Sequence, residues 1–165
     1  MNHGRSRRFA TALLIISMST LAAPAERKAT DPLRFFEGDT LMVSTTRVIA
    51  QKPYVTRSSG RGRIVNNREL VLVQHVDEVG HRQFDRYWRI REVAPGQFGG
   101  TMSEASGPVR IEKRGENYLF RFALADNLKV EQWLIPQSDS LVRIRVTIRK
   151  YGIAVVHSQG WIRRV

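Results

Sequence analysis

The residues in this sequence best equipped for chemistry are arginines: Arg47, Arg57, Arg61, Arg63 and Arg86. A guanidinium grips a carboxylate or a phosphate through two parallel hydrogen bonds, which a lysine cannot do. Arg86 alternates onto the same side of its segment as Phe84, Trp88 and Ile90, and an arginine among apolar neighbours needs an anionic partner or a wet cavity. Trp88, Phe120 and Phe122 supply apolar surface for a hydrocarbon tail. Together these residues predict a site for a small amphiphilic or lipid-like anion, with arginines at its acidic end. The same residues also allow a plainer arrangement: Arg86 paired with Glu69 or Asp85 at a rim, and Arg57, Arg61 and Arg63 on a solvated edge loosened by Gly60 and Gly62.

Other chemistries find less support. A serine nucleophile needs a base and an orienting acid, yet no G-x-S-x-G elbow accompanies any serine, and Ser58-Ser59-Gly60 and Ser106-Gly107 read as turn or bulge elements. His75, His81 and His157 form no close ligand pair, and His75 shares a face with Val71 and Val73, as a structural or interfacial histidine would. Glu37 and Asp39 fall on one side of an extended chain, where pairing with nearby arginines is expected. We find no catalytic signature, no metal site and no motif that calls for a cofactor, and expect a binding protein rather than an enzyme.

The elements that must position these side chains are strands. Val142, Ile144, Val146 and Ile148 alternate with Arg143, Arg145, Thr147 and Arg149, a period of two that gives one apolar and one basic face. Similar rows run through Tyr118, Phe120, Phe122 and Leu124; Leu128, Val130 and Leu134; Phe84, Trp88 and Ile90; and Leu70, Leu72 and Val76. Turn residues separate them at Glu78-Val79-Gly80, Pro95-Gly96, Gly115-Glu116-Asn117, Asp126-Asn127 and Gln137-Ser138-Asp139. The one helix candidate is a short turn at Asp31 to Phe36, with Asp31 as cap and Pro32 at the first helical position. A single all-β domain is predicted over residues 41–165 behind a lead-in at 26–40: an antiparallel up-and-down barrel of about eight to ten strands, with a two-sheet sandwich satisfying the same alternation.

Residues 1–25 combine Arg5, Arg7 and Arg8 with an apolar run from Phe9 to Ala23 and an Ala23-Pro24-Ala25 exit, the three parts of a cleaved secretory signal peptide. The expected product is a soluble exported protein, most simply periplasmic. With no cysteine in the sequence, it would lack a lipid-anchored N-terminus and disulfides. Removing the three arginines leaves 24 basic against 15 acidic residues, a net charge of +9. Outside the cytoplasm that charge points to anionic lipid or acidic envelope polymers rather than nucleic acid. Arg143, Arg145 and Arg149 would form a basic stripe for peripheral membrane contact.

The residues Phe35-Phe36-Glu37-Gly38, Gly62, Trp88-Arg89-Ile90, Gly100, Gly107, Trp133 and Arg149-Lys150-Tyr151-Gly152-Ile153 resemble, in order, a family of lipocalin-like bacterial envelope proteins, a domain of unknown function. The resemblance implies a calycin-type barrel outside the cytoplasm and supplies no activity or ligand. The missing cysteine and the basic segment Arg57 to Arg63 depart from the family pattern.

Overall fold

A computed structural model describes residues 31–165 of the chain; the segment read as a signal peptide lies outside the described residues. The chain enters through α1 (Pro32–Phe35), where Asp31 caps the helix by accepting a hydrogen bond from the Leu33 amide at 2.8 Å and Pro32 occupies the first turn, as the sequence predicts. Ten strands follow: β1 (Gly38–Val48), β2 (Tyr54–Val65), β3 (Glu69–Glu78), β4 (Arg82–Ala94), β5 (Gln97–Met102), β6 (Val109–Arg114), β7 (Asn117–Leu124), β8 (Leu128–Ser138), β9 (Leu141–Lys150) and β10 (Ile153–Arg164). Each pairs antiparallel with the next. The β1–β10 ladder, running from Thr40↔Arg164 to Val48↔Val156, closes the sheet into a barrel. Closure excludes the sandwich and leaves no free edge to cover.

Alternation places one residue in two inside. In β3, Leu70, Leu72, Gln74 and Val76 are buried, while His75 points out to pair with Asp85 at 2.9 Å. The apolar rows read from sequence in β3, β4, β7, β8 and β9 all face inward. Their lower halves form the core, where Leu70, Ile90, Phe98, Tyr118 and Leu134 pack with Leu33, Phe35 and Phe36 of the helical lead-in. The short helix, with Phe35 in it and Phe36 just after it, therefore plugs one end of the barrel.

Gly60 and Gly62 do not mark a bulge; β2 keeps continuous register with β1 and β3 through both. Their purpose is close approach. A Cβ on Gly62 would lie 1.9 Å from the Phe36 carbonyl oxygen, and one on Gly100 would lie 1.8 Å from that of Arg89. Irregular register occurs instead around Val93, Gln137 and Val155. Pro136 is tolerated in β8 because it sits beyond the last β7 pair on that strand, Tyr118↔Leu134. The Tyr151-Gly152 hairpin carries positive φ at both residues, 51° and 85°, the primed turn that matches strand twist.

Gly62→Ala must displace the plug or bend β2. Its melting temperature is expected to fall by several degrees, a cost of about 1–3 kcal/mol, whereas Gly107→Ala, which meets nothing within 4 Å, should melt like wild type. Thermal unfolding followed by circular dichroism compares the two.

Candidate functional site

The barrel is hollow above its plug. A cavity of about 340 Å³ runs from Leu33 and Phe36 to a rim formed by Tyr54, Glu78, Arg82, Leu124 and Leu128, a volume within the usual range for small-molecule sites. Its two sides differ. Strands β7 to β9 contribute Phe120, Phe122, Leu124, Val130, Val146 and Ile148 with Gln132 between them, whereas β1 and β2 contribute Ser44, Thr46, Thr56 and Ser58 beside Met42, and β3 sets Gln74 among Leu70, Leu72 and Val76. Polarity thus changes across the barrel as well as along it.

Arg86 lines this cavity, as do Trp88, Phe120 and Phe122. Trp88 meets the rings of Phe120 and Phe122 edge-on, at centroid distances of 6.3 and 5.8 Å, and its indole donates to Gln74 Oε1 at 2.7 Å. The partner of Arg86 is neither Glu69 nor Asp85 but Glu104, from the β5–β6 connection, which accepts from Arg86 Nε at 2.8 Å. Glu69 is taken by Arg89 and Asp85 by His75.

Two residues before Phe84, Arg82 repeats this arrangement. Its Nε donates to Glu78 at 3.0 Å, and the guanidinium carbons of Arg82 and Arg86 lie 4.4 and 5.3 Å from the Phe84 ring centre. Each guanidinium is held by a carboxylate at Nε and by the ring beneath it. Among the described residues, neither spends its two Nη groups in a hydrogen bond. Tyr54 completes the rim, with its ring against His81 at 4.3 Å; burial, followed by the nearby Glu78 carboxylate, raises its phenol above the ordinary range.

Arg47, Arg57, Arg61 and Arg63 do not join them. These residues hold the outward positions of β1 and β2, because Thr40, Ser44 and Thr46 in β1 and Thr56, Ser58, Gly60 and Gly62 in β2 take the inward ones. Arg61 binds Asp39 at 2.7 Å, and Glu37 binds Arg34 at 3.2 Å, so both lead-in carboxylates are arginine-paired, as expected. Ser58 belongs to mid-strand β2 rather than to a turn.

The sequence reading missed Arg82, Glu78, Glu104 and the hydroxyl wall. Arg82 was legible: it shares parity with Phe84 and Arg86. Ser44, Thr46 and Thr56 were not, because small polar residues on an inward face give no hydrophobic alternation.

On the outside, ion pairs concentrate around β3 to β8. Glu131 of β8 receives Arg149 at 2.6 Å and Arg121 at 3.4 Å, so Arg149 is engaged, while Arg143 and Arg145 make no ion pair among the described residues. A different surface covers β10 and β1. Trp161 stands opposite both Val43 and Arg143, Val43 opposite Arg57, and Leu41 opposite Arg163. Leu41, Val43 and Trp161 are 42, 54 and 47% exposed.

No known protein-family model matches this sequence, and no curated protein matches it. Solved structures do. The barrel is similar to the S-type phycobiliprotein lyase CPES from Guillardia theta, with a TM-score of 0.61 and 9% identity over 81% of this chain and 90% of the lyase. It is also similar to Rv2717c from M. tuberculosis, with a TM-score of 0.63 and 12% identity over 82% of this chain and 99% of the other. A DUF3598-family protein of unknown function from Nostoc punctiforme matches with a TM-score of 0.54 and 10% identity, over 86% of this chain and 53% of its own. At such identities these likenesses show the fold alone, a closed antiparallel β-barrel.

The hydrogen bond from Arg149, joined by its charge and by Arg121, outweighs the opposing effect of burial and holds the Glu131 carboxyl below its ordinary value of 4.5. The folded carboxylate binds its proton more weakly than the unfolded one, so its contribution is complete above about pH 4.5 and is lost as pH falls through the lowered value. Glu131→Gln is expected to lower stability by about 0.5–1 kcal/mol at pH 7 and by much less at pH 3, read from urea unfolding at both values.

Proposed function

We propose that the protein binds and carries a small amphiphilic anion, its hydrocarbon part against Trp88, Phe120 and Phe122 and its acidic end at Arg82 and Arg86. The observation that carries this reading is the hollow, mostly apolar interior with two guanidiniums at its open rim, each fixed through Nε with its Nη groups unspent. Glu78 and Glu104 balance the arginine charges, so a carboxylate or phosphate would be recognised through directed hydrogen bonds. Such a role asks for no catalytic group and no cofactor.

A fluorescent fatty-acid probe should bind, and native mass spectrometry of protein purified from its own envelope should find a copurifying amphiphile. Arg86→Met combined with Glu104→Gln preserves the charge balance; it should weaken a long-chain acid about tenfold, roughly 1.4 kcal/mol, and leave the matching alcohol unchanged. The proposal is abandoned if neither probe nor copurifying amphiphile is found.

We also propose that the protein is exported, loses residues 1–25, and works unanchored in the periplasm; the basic, apolar and A-x-A sequence of that segment supports this. Edman sequencing of protein from the envelope fraction should begin at Glu26, and an intact Met1 would contradict it.

A second reading rests on the β1–β10 exterior, where exposed Trp161, Val43 and Leu41 alternate with Arg57, Arg143 and Arg163. A tryptophan and aliphatic side chains ringed by cations fit the surface of an anionic bilayer, each near-surface charge contributing on the order of 1 kcal/mol. Cosedimentation with phosphatidylglycerol vesicles should fall steeply with salt and with Trp161→Ser plus Arg143→Gln. Equal cosedimentation with phosphatidylcholine vesicles would rule this surface out.

A further inference from the structure

We infer that the hydroxyl wall forms a second polar subsite, one that recognises an acceptor oxygen, a carbonyl or hydroxyl, partway along the ligand's chain. The inference rests on the amphiphile reading above and specifies which amphiphiles the cavity prefers.

Its fixed point is Gln74. An indole N–H can only donate, so the 2.7 Å bond from Trp88 Nε1 identifies the Gln74 atom it meets as the carbonyl oxygen. The Gln74 amide N–H₂ is left with no partner among the described residues. Gln74 is 9% exposed and lines the cavity. Ser44 and Ser58, at 5 and 6% exposure, also line the cavity, and neither hydroxyl forms a hydrogen bond among the described residues. By contrast, Thr46 satisfies its hydroxyl with Thr56 at 3.2 Å and Ser158 at 3.0 Å.

The unspent groups open onto the cavity rather than being sealed in the wall, because no fully enclosed side-chain nitrogen or oxygen among the described residues lacks a partner. Ladder register sets them on neighbouring strands: Ser44 faces Thr56, Ser58 lies one inward position further along β2, and Gln74 faces Gly60, the next one. Across β3 and β4, Gln74 also faces Arg86, which makes the subsite continuous with the acidic-end site. A plain hydrocarbon chain would leave these donors desolvated and unpaired, at the cost that buried polar groups incur. An oxygen at the right carbon would accept from them. In a site built to hydrogen-bond an oxygen, a ligand lacking that oxygen is rejected strongly.

The test uses the full mature chain and octadecanoic acids that are either unsubstituted or carry one oxo group moved along the chain, with affinity read by calorimetry. One oxo position should bind at least tenfold more tightly than the unsubstituted acid. Ser44→Ala with Ser58→Ala should remove most of that preference while binding the unsubstituted acid at least as tightly as wild type does, since the unpaired hydroxyls are gone, which also shows that the variant is folded. Equal wild-type affinity for all the acids, or a preference that survives the double substitution, overturns the subsite alone and means that water satisfies these groups. If no acid binds wild type, the amphiphile reading falls, and the subsite with it.

Discussion

Closure of the sheet through the β1–β10 ladder is the constraint on which every other feature depends. In an open sheet, a strand can slip by one residue and expose its former interior. In a closed ring, a slip in one strand must be matched all the way around. Once Thr40↔Arg164 and Thr46↔Ser158 are paired, each side chain has its side assigned, and the cavity's chemistry becomes a list of alternate residues. Arg86 faces in because Trp88 does; Arg57 faces out because Ser58 faces in.

The ring is filled at one end by its plug. Leu33, Phe35 and Phe36 are buried with Leu70, Phe98 and Tyr118, so the lower part of the barrel is packed like an ordinary core and supplies the apolar burial that a domain of this size needs without disulfides. The upper part, freed from that duty, can stay hollow and contain serine, threonine and glutamine. A closed barrel packed throughout would have no place for them, and a barrel hollow throughout would lack a core.

Legibility from sequence follows the same division. Strands with large apolar residues at every second position, such as β7 and β9, could be read with their correct faces, and so could Asp31 and Pro32 at the start of α1. Those rows and their turns allowed about eight to ten strands in a barrel or a sandwich, and it is the β1–β10 ladder that decides for a closed ring of ten. In β1 and β2, the interior is lined by Thr40, Ser44, Thr46, Thr56 and Ser58 while Leu41 and Val43 lie outside, reversing the usual hydropathy signal. For that reason the arginines of β2 were grouped with Arg86, although they stand on opposite sides of the wall. Gly60 and Gly62 misled for a related reason: a glycine required by a neighbour's carbonyl looks in sequence like one required by a bend. Glu104 was invisible because it reaches Arg86 from a loop across the ladder.

The meeting of Gly62 with the Phe36 carbonyl has a consequence for traffic. At this point the lower end is closed by backbone against backbone, with no space for even a methyl group, while the cavity runs toward the opposite rim. A vessel with one opening loads and empties through the same passage: an incoming molecule cannot push out the resident one from behind, and exchange must wait for departure. For the ligand proposed above, residence time would be set at the rim, by how long Arg82, Arg86 and the loop carrying Glu104 retain their hold, and the barrel would serve as a container rather than as a conduit.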